Sequence, residues 1–166
     1  MNSAAPPPAA WPREHYLNVA FGLRSWLLAR DHKRVALLYL VSAAVFGVLS
    51  VALALLLPLE LVTPQADLLA AETYHRLLAS HGISMIFLFL FPSIFAGLGS
   101  FLIPLMIGAR GLIYPRLHLV GWYVFLLGGA FILRAIVTGR ADPDFVPGLA
   151  LVACSAFMTA VNLVLT

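Results

Sequence analysis

Residues 80–110 read SHGISMIFLFLFPSIFAGLGSFLIPLMIGAR. They set His81 at the mouth of a long apolar run that carries no charge until Arg110. A run of that length exceeds the roughly 20 residues a helix needs to cross the hydrocarbon core of a bilayer. A histidine at that depth is costly to bury unless its ring nitrogens are satisfied. A metal or a haem iron is one way to satisfy them.

Working outward, three more apolar runs show the same pattern: Val35–Leu57, Leu119–Leu133 with an extension to Val137, and Phe145–Leu165. The composition agrees, with 62% hydrophobic and only 10% charged residues and a mean hydropathy of +0.98. These values exclude an ordinary soluble domain. The expected fold class is all-α: four transmembrane helices, with the third least secure because Arg134 interrupts it.

Basic residues set the expected orientation. Arg24, Arg30, Lys33 and Arg34 precede the first span, and Arg110 and Arg116 lie between the second and third. Glu60, Asp67 and Glu72 oppose Arg76 between the first and second, and Asp142 and Asp144 offset Arg140 between the third and fourth. Both termini are therefore expected inside, with His81 at the outer end of its helix. The net charge of +3 reflects this topology and makes no case for nucleic acid; the partner it implies is the lipid bilayer.

Residues 1–14 form an Ala/Pro-rich tail expected to be disordered, without the basic and apolar regions of a cleavable signal peptide. In residues 15–34, Tyr16, Ala20, Leu23 and Leu27 recur at helical spacing beside Trp26, with arginines around them. That pattern suits a short amphipathic interfacial helix followed by a basic segment. Residues 35–166 are the four-helix transmembrane domain. The single cysteine, Cys154, falls within the fourth span and reads as a small apolar residue.

Pro92 and Pro104 interrupt the second span, and Ala96, Gly97, Gly99 and Ser100 cluster between them. Proline removes a helical hydrogen bond, and glycine admits a neighbouring backbone or a flat cofactor. Ordinary helix packing accounts for these residues equally well.

Four segments together carry a resemblance: DHKRVALLYLVSA (31–43), LELVTP (59–64), ETYHRLLASHGISMIFLF (72–89) and GLGSFLIPLMIGARGLIYPRL (97–117). They resemble subunit I of the haem–copper oxidases, the cytochrome c and quinol oxidase family. The HGxxMIF block and the PLMIGAR…PR block stand in the family's order and spacing. The likeness covers the first of three arcs of four helices. It implies that His81 is an axial ligand of the low-spin haem iron. The second axial ligand, the copper ligands and the high-spin haem ligand belong to later helices, so the chain by itself is expected to hold no copper and to reduce no oxygen.

Departures from the family refine these expectations. Gly111 stands where the resemblance implies the proton-entry aspartate, and Ser100 and His118 stand where it implies asparagines. Pro58 stands where many members carry the arginine that approaches the formyl of haem a, which favours haem b. His75 is expected in a loop, on a different face from His81. His15, His32 and His118 are expected to be solvated. Arg134 either snorkels to the outer headgroups or makes a charge-assisted bond to a haem propionate, as a candidate cofactor-binding residue.

The functional expectation is a haem protein of the bacterial inner (cytoplasmic) membrane, carrying electrons or serving as an accessory subunit of a respiratory complex. Alternatives are a non-haem structural or assembly subunit and an inactive gene fragment. Because His81 is the only ligand found, the second is expected from another copy, in a homo-dimer or trimer, or from other respiratory membrane subunits. The small residues of the second span and the Gly128–Gly129 pair are the expected contacts between copies.

Overall fold

The computed structural model describes residues 22–60, 62, 69–138 and 141–166. The tail expected at 1–14, and residues 15–21 of the interfacial segment, lie outside the described residues. After residue 22 come a short helix, α1 (Leu23–Leu27), and four helices long and apolar enough to cross a membrane: α2 (His32–Glu60), α3 (Ala71–Met106), α4 (Pro115–Thr138) and α5 (Ala141–Leu165). The described residues contain no strand. The protein is a multi-pass, all-α membrane protein.

Helix boundaries reflect capping chemistry. Asp31 opens α2 by accepting the Lys33 amide on its carboxylate (3.0 Å) and the Val35 amide on its carbonyl. At the far end, the buried Glu60 carboxylate accepts the Leu69 amide at 2.6 Å. Gly108 closes α3 with a φ of +72°. Ala109 then bonds back to the Pro104 carbonyl and Gly108 to the Leu105 carbonyl, a geometry glycine adopts without steric penalty. Pro115 opens α4 at a position where its missing N–H is no loss.

Helix α3 is α-helical over Ala71–Ile83 and Ser100–Met106 but widens to π-helical geometry over Ser84–Leu90 and Pro92–Gly99. Pro92 cannot donate to the residue four before it, and its ring crowds that carbonyl in a tight helix. Widening the turn relieves the clash, and the Phe91 amide reaches back five residues to Ile86. The helix also begins earlier than its apolar run. His75, expected in a loop, therefore lies on α3, exposed and edge-on to Tyr74. The Glu72–Arg76 pair, one turn apart at 2.9 Å, supports this first part of the helix.

Register between helices is set by close contacts. Leu40 meets Gly97, Gly47 meets Phe89, and Ser50 meets His81, so α2 and α3 run antiparallel. Tyr39 meets Gly121, Ser42 meets Trp122 and Phe46 meets Gly129, so α2 and α4 run parallel. Helices α4 and α5 pack backbone to backbone: a Cβ on Gly128 would stand 2.8 Å from the Gly148 carbonyl oxygen. In lipid there is no hydrophobic drive between helices, so this close packing and interhelical hydrogen bonds hold them together. The glycines expected to join copies are thus used inside the chain. Gly97 accommodates Leu40, Gly128 meets α5, and Gly129 receives the Phe46 ring.

The core centres on Tyr39, Phe125, Trp122 and Ile132. Trp122 Nε1 donates to Ser42 Oγ (3.1 Å), and Phe46 meets Phe125 edge-on. Many large apolar side chains face outward, Val48 at 70%, Phe157 at 70% and Val164 at 84% exposed among them. An apolar exterior of this extent belongs in lipid. One end of the bundle, the basic end, carries His32, Lys33, Arg34, Arg110 and Arg116, and the other, the acidic end, carries Glu60, Glu72 and Asp144. Helix α1 lies at the basic end, where Arg34 sits over the Trp26 ring and Tyr123 Oη donates to the Leu27 carbonyl.

Candidate functional site: a histidine clamped across the α2–α3 seam

His81 occupies the last α-helical turn of α3, just before the helix widens, and Ser50 of α2 faces it. The His81 Nδ1 lies 2.9 Å from the Ser50 carbonyl oxygen. A carbonyl can only accept, so Nδ1 carries a proton and donates it to the Ser50 carbonyl. Ser50 Oγ donates to the His81 carbonyl at 3.1 Å and lies 3.2 Å from Nδ1. Ser50 thus grips both the ring and the backbone of His81 and is itself 1% exposed. The imidazole is half-buried, and no hydrogen bond to Nε2 occurs among the described residues.

An imidazole oriented through Nδ1–H to a backbone carbonyl, with no hydrogen bond to Nε2, is the arrangement a metal-ligating histidine uses. Its surroundings are apolar. One recess of about 340 Å³ lies between α2, α3 and α4, where Ser50, Ser84, Leu88 and Ile136 line it. Another, also about 340 Å³, lies along the seam between Gly47, Val51, Met85 and Phe89. Met85 and Phe89 come four and eight residues after His81, so they continue its face of the helix. Ser50, the partner of His81, lines the first recess, so an apolar group held by the His81 imidazole would meet apolar side chains there. No cluster of three or more His, Cys, Asp or Glu side chains able to hold a metal ion occurs among the described residues.

Arg134 makes an ion pair that the sequence reading did not include. Its Nε pairs with Asp144 Oδ2 at 3.1 Å, with the arginine 67% exposed and the carboxylate only 7% exposed. The pair joins α4 to α5 near the acidic end and neutralises a carboxylate that would otherwise be buried alone.

The basic end departs most from expectation. His118 is fully buried and His32 is 6% exposed, so neither is solvated. His118 stacks on Tyr39 with ring centroids 5.3 Å apart, and neither ring nitrogen has a hydrogen-bond partner among the described residues. His32 Nδ1 lies 3.5 Å from Asp31, and a Cβ at Gly111 would stand 3.3 Å from that same nitrogen. A histidine ring therefore sits beside position 111, where the resemblance implied a carboxylate. Ser100 Oγ is also buried, without a hydrogen-bond partner among the described residues.

Sequence reasoning missed His118 because the apolar run was drawn from Leu119. Extending the helical period back from Phe125 through Gly121 and Trp122 reaches His118 on the buried face. Asn162 was missed as well. Its amide brackets Tyr114, donating to the carbonyl (2.9 Å) and accepting from the amide N–H (3.0 Å), and so pins the start of α4 to the end of α5.

With this geometry in view, the chain is similar to known proteins over most of its length. The family model described as "Cytochrome C and Quinol oxidase polypeptide I" matches residues 34–166. The cytochrome c oxidase subunit 1 of Bacillus sp. (strain PS3) is 38% identical over 122 residues, covering 74% of this chain and 20% of the relative. That of Thermostichus vulcanus is 37% identical over 112 residues, covering 68% and 20%. The heme-copper oxidase subunit I+III of Aeropyrum pernix is 35% identical over 119 residues, covering 72% and 14%. The chain thus spans a fifth or less of the length of these curated relatives. Four membrane-spanning helices, the His81 clamp and a family match over residues 34–166 lead to one conclusion: the chain belongs to the haem–copper oxidase subunit I family, a family of haem-binding respiratory membrane proteins.

Proposed function

We propose that the chain binds a low-spin haem through His81 Nε2 and serves electron transfer, or acts as an accessory subunit, in a respiratory membrane complex. The observation that carries this reading is the Nδ1–H bond from His81 to the Ser50 carbonyl at 2.9 Å, which leaves Nε2 as the free ligand atom. Bound there, haem would supply one-electron redox chemistry. The protein's own part is to orient the imidazole and wall the site with apolar side chains.

Haem b suits the site better than haem a, because Pro58 offers no donor to a formyl group. Arg134 is a second candidate contact, to a propionate, through the guanidinium nitrogens that Asp144 leaves open. A second axial ligand would come from beyond the described residues, for example from another copy in a dimer or trimer or from a partner subunit. No copper is bound by this chain alone. The basic end faces the cytoplasm of a bacterial inner membrane, which puts His81 near the outer face.

The test is a pyridine haemochrome spectrum of protein expressed with ample haem, beside the His81→Ala variant. The wild type should carry haem b with sharp reduced α and β bands, and the variant should carry none. Wild-type protein without Soret absorbance would leave the structural-subunit reading in its place.

A further inference from the structure

We propose that the slot between α3 and α5 holds one acyl chain of an anionic phospholipid, whose head group is met by Arg110 and Arg116 at the basic end. The slot encloses about 570 Å³, within the range of small-molecule sites. Its lining runs along α5 from Leu149 to Leu163, roughly 21 Å at the helical rise. One leaflet contributes roughly 15 Å of hydrocarbon, so a chain entering at the basic end has room for its full length. Neither His81 nor Ser50 lines the slot, and the proposal does not depend on haem.

The walls call for hydrocarbon. On the widened stretch of α3, Phe87, Phe91 and Phe95 form a ladder, with successive ring centroids 5.9 and 5.7 Å apart. Opposite them, the small side chains of Ala153, Ala156 and Ala160 leave a channel. These alanines and Phe95 are exposed at the bundle surface, so the slot opens sideways to the bilayer. No charged side chain lines it, and an ion there would be costly. The lining hydroxyls are engaged with one another. Ser155 Oγ donates to the Gly121 carbonyl at 2.7 Å, the Tyr39 hydroxyl, 3.0 Å away, donates to Ser155 Oγ, and Thr159 faces that same hydroxyl. The occupant therefore has no hydrogen bond to supply, which suits a run of methylene groups.

The mouth supplies the charge. Leu163 of the lining lies where the α3–α4 connection folds onto the end of α5. There the Tyr114 amide donates to Asn162 Oδ1 at 3.0 Å and the Ile113 amide to Thr166 Oγ1 at 3.4 Å. Arg110 and Arg116 flank these two residues in the chain, and both are exposed. Neither forms an ion pair among the described residues. The exposed Tyr114 between them is the kind of residue found at a membrane interface. A phosphate at this level meets two guanidinium groups while its acyl chain enters the slot below. A zwitterionic lipid brings an ammonium group to the same arginines and is disfavoured.

The experiment titrates the full chain in mild detergent with phosphatidylglycerol and, separately, with phosphatidylcholine of the same acyl chains, counting bound lipids by native mass spectrometry. One phosphatidylglycerol per chain is expected to bind with a clear preference over phosphatidylcholine. Arg110→Gln and Arg116→Gln should each weaken phosphatidylglycerol binding about fivefold, and together should erase the preference. Ala156→Phe should fill the slot and abolish retention of either lipid while both arginines remain, with circular dichroism confirming that each variant is folded. Equal binding of the two lipids by the wild type overturns the proposal. So does unchanged binding by the double arginine variant or by Ala156→Phe. Lipid-free dimers in place of lipid-bound chains would overturn it too, and would make a second copy the occupant of the slot.

Discussion

Replacing Ser50 by alanine probes the His81 clamp directly. The substitution deletes Oγ, with its 3.1 Å bond to the His81 carbonyl and its 3.2 Å approach to Nδ1, but leaves the Ser50 backbone carbonyl in place. The imidazole is then held by one bond instead of being gripped at ring and backbone together. The lost interhelical bond should destabilise the α2–α3 pair by about 0.6 kcal/mol, the average for such bonds in membranes. Haem binding is affected differently, because the clamp is already formed before any ligand arrives. What the variant loses is preorganisation. Immobilising a side chain on binding costs about 0.5–1.5 kcal/mol, which corresponds to roughly two- to twelvefold weaker haem affinity. His81→Ala removes the ligand atom and should abolish axial ligation altogether. The assay is titration of haem into apoprotein in nanodiscs, monitored by the low-spin Soret band, with wild type, Ser50→Ala and His81→Ala in parallel. The reasoning is refuted if Ser50→Ala binds as tightly as wild type while His81→Ala loses haem. The ring would then be oriented by something other than Ser50.

Three further outcomes rest on particular contacts. Gly128→Leu should drive α4 and α5 apart, since even a Cβ there would stand 2.8 Å from the Gly148 carbonyl; a loss of about 1–3 kcal/mol is expected, read as reduced thermal stability in detergent. Arg134→Ala should strand the Asp144 carboxylate, which is 7% exposed, and adding Asp144→Asn should recover part of the lost melting temperature, because the second change removes the unpaired charge. Asn162→Ala should remove both bonds to Tyr114 and lower stability by about 1–2 kcal/mol. Faster hydrogen exchange should then be confined to the start of α4 and the end of α5.

The number and placement of the membrane spans were legible in the sequence, because span length is set by bilayer thickness and by an unbroken apolar run. His81 stands out in the sequence as a ring with two polar nitrogens at the head of an apolar helix, and the fold adds its Ser50 partner on the neighbouring helix. The family blocks around it, HGISMIF and PLMIGAR, then pointed to one chemistry. The third span, in doubt because of Arg134, is continuous from Pro115 to Thr138, and only the fold shows why. Its charge is met by Asp144 on the next helix, a pairing that sequence distance along two helices does not reveal.

Composition alone also could not say which small residues serve which contact. Gly97, Gly128 and Gly129 look alike in sequence as sites of close approach, and expecting them to join separate copies was reasonable. Their partners Leu40, Gly148 and Phe46 depend on helix rotation and register, which are tertiary properties. The histidines divide in the same way. His118 and His32 looked solvated because basic residues flank them, but helix rotation carries one to 0% and the other to 6% exposure. Hydropathy decided which segments enter the membrane. Which face of each helix turns inward, and so which polar atoms meet a partner, was decided by how four helices pack.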